Sequence, residues 1–311
     1  MGPGLHGRSG VGCLALDVIR MSSEIKGRAT IKALAGRFPQ LYVAPAEGAQ
    51  EANRLAAARG IAPEGADLDH FIGDEEDAVF TVETPAGPVE ALFLRNRDDF
   101  ETFLRIVGHK SQPVPIARTV GAITYRRLAD WGKVARAREE YLAGGGDDWA
   151  SEFKRLASVP GAFRAELVVV SEGPYSNVPA GMTPYSGKEW LRMSRGIRLN
   201  HECAHVVCRR LMPDDVVPVW DEVTADVVGL LRATGRYDAR LAALFLGVTE
   251  GGFAGGRLSE YLVDGQLERI DDIATEVHTT LGLINSMCGE EQESDPFGFL
   301  VRLKGSPLFR F

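Results

Sequence analysis

Two histidines and three carboxylates lie close together between positions 201 and 226. They are His201, Glu202, His205, Glu222 and Asp226. On a helix, residues four positions apart lie about 40° apart around the axis, so the two histidines can offer imidazole nitrogens to one ion. Glu202 is offset from the first histidine by about 100°, which suits a general base for a metal-bound water better than a third ligand. The spacing therefore predicts a zinc-binding His-Glu-x-x-His helix.

The residues around the histidines predict a helix that holds them. Apolar residues recur at three- and four-residue steps up to Leu211, and both histidines fall on the same stripe. Ser186 and Glu189 form a capping-box pattern at the start of this run, and Pro213 lies just past its end.

A second helix is predicted to begin near Pro218 and to end before Gly235. Glu222 and Asp226 lie on one otherwise apolar face of it, where buried carboxylates need a cation or a hydrogen-bonded partner. The linker between the two helices is short, which favours an antiparallel pair that returns Glu222 to the histidines. Two histidines and one glutamate leave a fourth coordination position open, as in catalytic zinc sites.

This arrangement resembles that of the gluzincin metallopeptidases, the thermolysin-like group of zincins. In that group a second helix supplies the third zinc ligand in a Glu-x-x-x-Asp pattern, which Glu222 and Asp226 match. The resemblance implies one zinc ion per chain, ligated by His201, His205 and Glu222, with Glu202 as the general base. It also implies that Asp226 accepts a hydrogen bond from the second ring nitrogen of a ligand histidine, a common role of carboxylates next to metal ligands.

Four further residues are weaker candidates for stabilising a transition state. Tyr175 and Tyr185 lie in the loop just before the predicted helix of His201 and His205, and their hydroxyls could donate to an oxyanion. Tyr261 and His278 lie downstream, where gluzincins often place a Tyr or His with this role. Ordinary packing in the core or on a helix surface is the alternative for all four.

The predicted activity is hydrolysis of a peptide or similar amide bond, with a peptide or protein as the substrate. Glu202 favours catalysis over a purely structural site, because a structural zinc ion needs no general base beside an open coordination position. Two alternatives stay open. One is a non-catalytic or regulatory binding protein with the zincin fold, and the other is a zinc hydrolase of a non-peptide bond.

Composition narrows the class of protein. The net charge of −8 over 311 residues argues against nucleic-acid binding as the main function. No apolar run approaches the roughly 18–20 residues that span a bilayer, and the N-terminus shows no secretory signal pattern. The four cysteines have no disulfide-framework spacing, so we expect a reducing, cytoplasmic compartment; they are Cys13, Cys203, Cys208 and Cys288.

The sequence predicts an α+β fold in three parts. Residues 1–25 are glycine-rich at the start and are interpreted as a flexible N-terminal arm, or as an extension upstream of Met21. Residues 26–118 are predicted to form a small α/β module, with a helix ended by Gly60, a strand pair and a second helix. Residues 119–311 are predicted to form a mainly helical, zincin-like catalytic domain with a short upstream sheet.

Two segments of the predicted catalytic domain precede the metal helix. Residues 117–142 have a helical pattern. Residues 163–173 are rich in apolar and β-branched residues and predict a strand. Zincins lay an extended substrate along an edge strand upstream of the metal helix, so this strand is either such an edge or a core strand without substrate contact.

Overall fold

The computed structural model describes residues 21–213, 218–263, 265–289, 292 and 294–306. Helices pack around a five-stranded mixed sheet, and a two-stranded sheet lies apart from it, so the predicted α+β class is confirmed. The strands are β1 (Met21–Lys26), β2 (Ala78–Val82), β3 (Val89–Leu94), β4 (Ala122–Ala129), β5 (Arg164–Ser171), β6 (Val248–Thr249) and β7 (Gly252–Phe253). The α-helices include α1 (Ala29–Arg37), α2 (Gln50–Arg59), α3 (Arg97–Gly108), α4 (Trp131–Ala143), α5 (Trp149–Ala157), α6 (Gly187–Leu211), α7 (Pro218–Thr234), α8 (Ala239–Leu246), α9 (Ile270–Met287) and α10 (Pro296–Lys304).

The large sheet has the strand order β1-β2-β3-β5-β4. β2 and β3 form an antiparallel hairpin, β3 runs parallel to β5, and β4 runs antiparallel to β5. β1 and β4 are therefore the edge strands, and β5 has a neighbour on each side. The predicted strand at residues 163–173 is confirmed as a core strand, and its use as a free edge for substrate is wrong.

The sheet joins strands from both sides of residue 118. β1, β2 and β3 come from the predicted α/β module, and β4 and β5 come from the predicted catalytic domain. The domain boundary at this residue stays a prediction. Residues 1–20 of the predicted arm lie outside the described residues, whereas residues 21–25 belong to β1 and pair with β2.

Side chains of β5 alternate between the two faces of the sheet, as the pleat of a strand requires. Leu167 and Val169 pack on one face with apolar side chains of α1 and α3. Val168 and Val170 pack on the other face with α6 and α7. This alternation fixes α6, the helix of the two histidines, against one face of the sheet.

Helices α6 and α7 are confirmed, including the capping box of Ser186 and Glu189 at the start of α6. The two helices approach closely because small residues lie between them. A Cβ atom on Gly229 of α7 would be 2.9 Å from the carbonyl oxygen of Ile197 on α6. The close crossing allows the carboxylates of α7 to reach the histidines of α6.

The predicted helical pattern over residues 117–142 is wrong in its first half. Edge strand β4 occupies that half, and helix α4 begins only at Trp131. β4 bulges between Tyr125 and Leu128, where Arg127 has a positive φ of 62°. A bulge interrupts the alternation that marks a strand in sequence, so pairing with β5 decides the structure here.

The elements that the sequence predicts within residues 26–118 are confirmed. Helix α2 ends at Gly60, whose φ of 71° is the left-handed conformation that glycine adopts at helix ends. The β2–β3 pair and helix α3 also form where the sequence places them.

Within the described ranges, no helix is both long enough and apolar enough to cross a membrane.

Candidate metal centre

The imidazoles of His201 and His205 and the carboxylate of Glu222 converge between α6 and α7. The Nε2 atoms of the two histidines are 3.1 Å apart. Glu222 Oε2 lies 3.3 Å from His201 Nε2, and Glu222 Oε1 lies 3.3 Å from His205 Nε2. Among the residues that the structure describes, these three form a group whose ligand atoms are close enough to hold a metal ion.

The three separations fit the size of a zinc ion. Tetrahedral zinc has bonds of about 2.0–2.2 Å to nitrogen and oxygen, which places two of its ligand atoms about 3.3 Å apart. Here the two imidazole nitrogens are 3.1 Å apart, and each lies 3.3 Å from a different oxygen of the Glu222 carboxylate. Two imidazole nitrogens and a carboxylate are also a donor set that zinc prefers.

Asp226 lies behind His201, on the side away from Glu222. Its side chain is 1 % exposed, and its Oδ1 lies 2.8 Å from His201 Nδ1. When Nδ1 of a neutral imidazole donates to a carboxylate, Nε2 presents a lone pair. His201 is therefore held in the tautomer and orientation that a metal ligand needs.

Two more side chains bind the same aspartate. The hydroxyl of Tyr175 donates to Asp226 Oδ1 at 2.5 Å, and Arg257 Nη2 donates to Oδ2 at 2.6 Å. The Arg257 guanidinium also lies over the Tyr175 ring, 4.8 Å from its centroid. Both oxygens of Asp226 thus have donors, which restricts the rotation of its carboxylate.

The carboxylates favour positive charge at the convergence point. Burial by itself lowers the pKa of His201, but hydrogen bonds with Asp226 and Glu222 outweigh burial and raise it to about 10. Burial raises the pKa of Glu222, but the two histidines outweigh it and hold this pKa well below the usual range. Either a proton or a metal ion can supply the charge that this environment stabilises.

Glu202 lies beside the candidate ligands in a cavity of about 340 Å³. Its Oε2 accepts a hydrogen bond of 2.6 Å from the hydroxyl of Thr124 on edge strand β4. Residues 119–124 line the same cavity. Glu202 is thus outside the ligand triangle and held by the strand that lies across the cavity from α6.

The four weaker candidates fall into two pairs. Tyr175 and Tyr261 line the cavity, and Tyr185 and His278 are not among its lining residues. Burial raises the pKa of Tyr261 well above its usual value, so its hydroxyl stays protonated. Tyr185 stacks on Trp190, with ring centroids 6.1 Å apart. His278 is half-buried on α9, a helix that packs on α8 and the two-stranded sheet.

Three residues of the cavity carry no signal in the sequence. Thr124 is placed by strand pairing, and Arg257 is placed by a short 3₁₀ helix that follows a glycine-rich run. Arg198 lies one helical turn before His201, but arginines are common on helix surfaces and its burial was not predictable from spacing. All three line the cavity with the candidate ligands.

Residues 21–282 match the family described as "Family of unknown function (DUF7005)". The match covers most of the chain, so the chain belongs to that family. No curated protein and no solved structure matches the chain. A function must therefore be inferred from the side chains around His201 and His205.

Proposed function

We propose that this member of the DUF7005 family is a zinc-dependent hydrolase that cleaves a peptide or similar amide bond, a metallopeptidase. The observation that carries the proposal is the triangle of ligand atoms from His201, His205 and Glu222, with Glu202 beside it in a cavity. A structural zinc site is normally closed by a fourth protein ligand, whereas a catalytic site has three and stays open on one side.

Each residue of the site has a role in this proposal. His201, His205 and Glu222 would hold the ion, and Asp226 would keep the His201 ring oriented. When bound, zinc would supply Lewis acidity, which lowers the pKa of a coordinated water and polarises the substrate carbonyl. Burial of Asp226 with Arg257 and Tyr175 supports the orienting role, because a fixed carboxylate fixes the imidazole that it binds.

Glu202 takes the proton from the attacking water and later gives it to the leaving amine. The water oxygen then forms the new carboxyl group, and the C–N bond of the amide is the bond that breaks. The hydrogen bond from Thr124 occupies Glu202 Oε2 and leaves Oε1 to carry the proton. Tyr261, which stays protonated, is the candidate donor to the developing oxyanion.

The proposal also includes the gluzincin resemblance and a cellular location. The gluzincin resemblance is supported by the 2.8 Å contact between Asp226 and His201 Nδ1, which matches the outer carboxylate of that group. A cytoplasmic location is supported by the thiol of Cys203, which is buried and not in a disulfide.

The proposal is tested by zinc-loaded protein incubated with a broad peptide library, with cleavage detected by mass spectrometry. Wild type is expected to cut, and Glu202→Gln is expected to keep zinc and fold while losing about 10²–10⁴-fold in rate. Glu276→Gln, an exposed carboxylate on α9, is the matched control with an unchanged rate. Wild-type cleavage of a verified substrate by Glu202→Gln would exclude Glu202 as the base, and zinc-loaded wild type that cuts no peptide would contradict a metallopeptidase.

A further inference from the structure

Arg198 is a buried cation whose hydrogen-bond partners are all neutral. The residue is 8 % exposed and donates to the backbone carbonyl oxygens of Ser171, Gly173 and Pro174. In the described residues, no carboxylate lies within ion-pair distance of its guanidinium, and Glu172 attracts it only from farther away. Burial lowers its pKa to about 10. A buried charge without a counter-charge is costly.

The three hydrogen bonds use one side of the guanidinium. Nη1 donates to Ser171 and Gly173, and Nη2 donates once to Pro174. The Nε–H and the second N–H of Nη2 have no acceptor among the residues that the structure describes. These two parallel donors form the edge of an arginine that binds a carboxylate through two hydrogen bonds.

Gly121 lies against this edge and, because it has no side chain, places no Cβ atom over it. A Cβ atom on Gly121 would lie 2.3 Å from Arg198 Nε and 2.9 Å from Nη2. Gly121 and Arg198 line the same cavity as His201 and Glu222. Arg198 therefore borders the cavity that holds the candidate metal ligands, with Gly121 beside its Nε and Nη2 atoms.

The second arginine of the cavity differs in this respect. Arg257 has its counter-charge within the chain, because its Nη2 lies 2.6 Å from Asp226 Oδ2 and its Nη1 lies 4.0 Å from Glu222 Oε2. In the described residues no carboxylate pairs with Arg198, and Glu172, which attracts it from farther away, pairs with Arg95. An anionic ligand would therefore supply a direct counter-charge.

We infer that Arg198 binds a carboxylate of the substrate, and that the substrate is a short, carboxylate-bearing amide such as a small peptide or an N-acyl amino acid. The inference rests on the proposed hydrolase function and names the substrate class for that site. The cavity of about 340 Å³ is at the small end of ligand pockets, which suits a short substrate. The carboxylate is either the C-terminal α-carboxylate or an acidic side chain next to the bond that is cut.

Three synthetic amides distinguish these sources: acetyl-Ala-Ala, its C-terminal amide, and acetyl-Ala-Glu amide. For wild type we expect kcat/KM to be at least about 30-fold higher for a carboxylate-bearing probe than for acetyl-Ala-Ala amide, the size of effect typical of a lost buried charge pair. A preference for acetyl-Ala-Ala indicates the α-carboxylate, and a preference for acetyl-Ala-Glu amide indicates an acidic side chain. No preference for either overturns the inference.

Arg198→Met is expected to abolish the preference, because kcat/KM should fall about 30-fold more for the preferred carboxylate-bearing probe than for acetyl-Ala-Ala amide. Arg195→Met is the matched control, since Arg195 lies one turn earlier on α6 and its nearest carboxylate, Glu76, is 3.6 Å away outside the cavity. An equal loss on all three probes would show that Arg198 only supports residues 171–174. If Arg198→Met does not fold, Gly121→Ala fills the space beside the free edge and must lower the preference instead.

Calorimetric titration of Glu202→Gln with the same probes separates binding from hydrolysis. Tighter binding of a carboxylate-bearing probe than of acetyl-Ala-Ala amide, lost when Arg198→Met is added, supports the carboxylate site even if wild type hydrolyses nothing. In that case the hydrolase proposal fails, and the assignment of Arg198 as a carboxylate-binding residue holds. If wild type hydrolyses all three probes at equal rates and the probes bind equally, the hydrolase proposal holds and the carboxylate site at Arg198 is refuted.

Discussion

Replacing Asp226 with asparagine changes one charge next to the candidate zinc site and leaves the side-chain size unchanged. In the native protein, Asp226 Oδ1 binds His201 Nδ1 and the Tyr175 hydroxyl, while Oδ2 binds Arg257. Asparagine has one acceptor oxygen and one NH₂ group. Whichever way the amide is turned, its NH₂ faces either the two donors on one side or the guanidinium on the other.

We expect Asp226→Asn to weaken zinc binding about 10–100-fold, the usual effect of losing a carboxylate behind a metal-ligating histidine. This corresponds to about 1.4–2.7 kcal/mol. The loss should be smaller than for Glu222→Ala, which removes a ligand. Arg257 also loses its closest carboxylate, and breaking such a buried pair typically costs about 3–5 kcal/mol, so the thermal midpoint should fall as well.

Competition with a chromophoric chelator measures the zinc affinities of wild type, Asp226→Asn and Glu222→Ala. Circular dichroism under the same conditions shows whether each variant is folded. Asp272→Asn, an exposed carboxylate on α9, is the matched control and should bind zinc like wild type. Zinc affinity and activity both unchanged in Asp226→Asn would place Asp226 outside the site and reduce the gluzincin resemblance to the His-Glu-x-x-His helix. A loss as large as that of Glu222→Ala would make Asp226 a ligand.

Two further predictions concern stability. In metal-free protein, the His201 pKa raised from 6.5 to about 10 means that its proton stabilises the fold fully below pH 6.5 and is lost as the pH rises toward 10. The thermal midpoint of chelator-treated protein should fall over this interval, and a flat profile would contradict the ion-pair geometry. Gly229→Ala should cost about 1–3 kcal/mol in urea unfolding, because the added Cβ meets the Ile197 carbonyl. Gly282→Ala, at a helix position with no neighbour within 4 Å, should instead stabilise the fold by about 0.5–1 kcal/mol, and equal effects of the two substitutions would refute the close helix crossing.

The sequence predicts the candidate ligands well because their geometry is mostly local. His201 and His205 are one helical turn apart on a helix with a clear apolar stripe and a capping box. To place Glu222 beside the histidines, the sequence has to indicate one tertiary relation, the antiparallel packing of α7 along α6 after a short linker. Hydrophobic periodicity and the residues that begin and end helices indicate both of these relations.

Other parts of the site depend on contacts between distant segments. Thr124 reaches Glu202 only because β4 pairs with β5, and the bulge in β4 hides the strand in a helix-like pattern. Arg257 reaches Asp226 from the first residue of a short 3₁₀ helix, Arg257–Tyr261. The burial of Arg198 follows from the carbonyl groups of residues 171–174, which no pattern in α6 indicates. Sequence periodicity predicts helices and strands, but it does not indicate which distant segments pack against them.

The content of zinc in the purified protein tests the central claim most directly. Elemental analysis of wild type prepared without chelator, or reconstituted with zinc and desalted, should give about one zinc ion per chain. His201→Ala and Glu222→Ala, each shown to be folded, should lose it. A well-folded wild type that stays far below one zinc ion per chain after reconstitution would contradict the account, because the triangle of His201, His205 and Glu222 would then be a hydrogen-bonded cluster and not a metal centre.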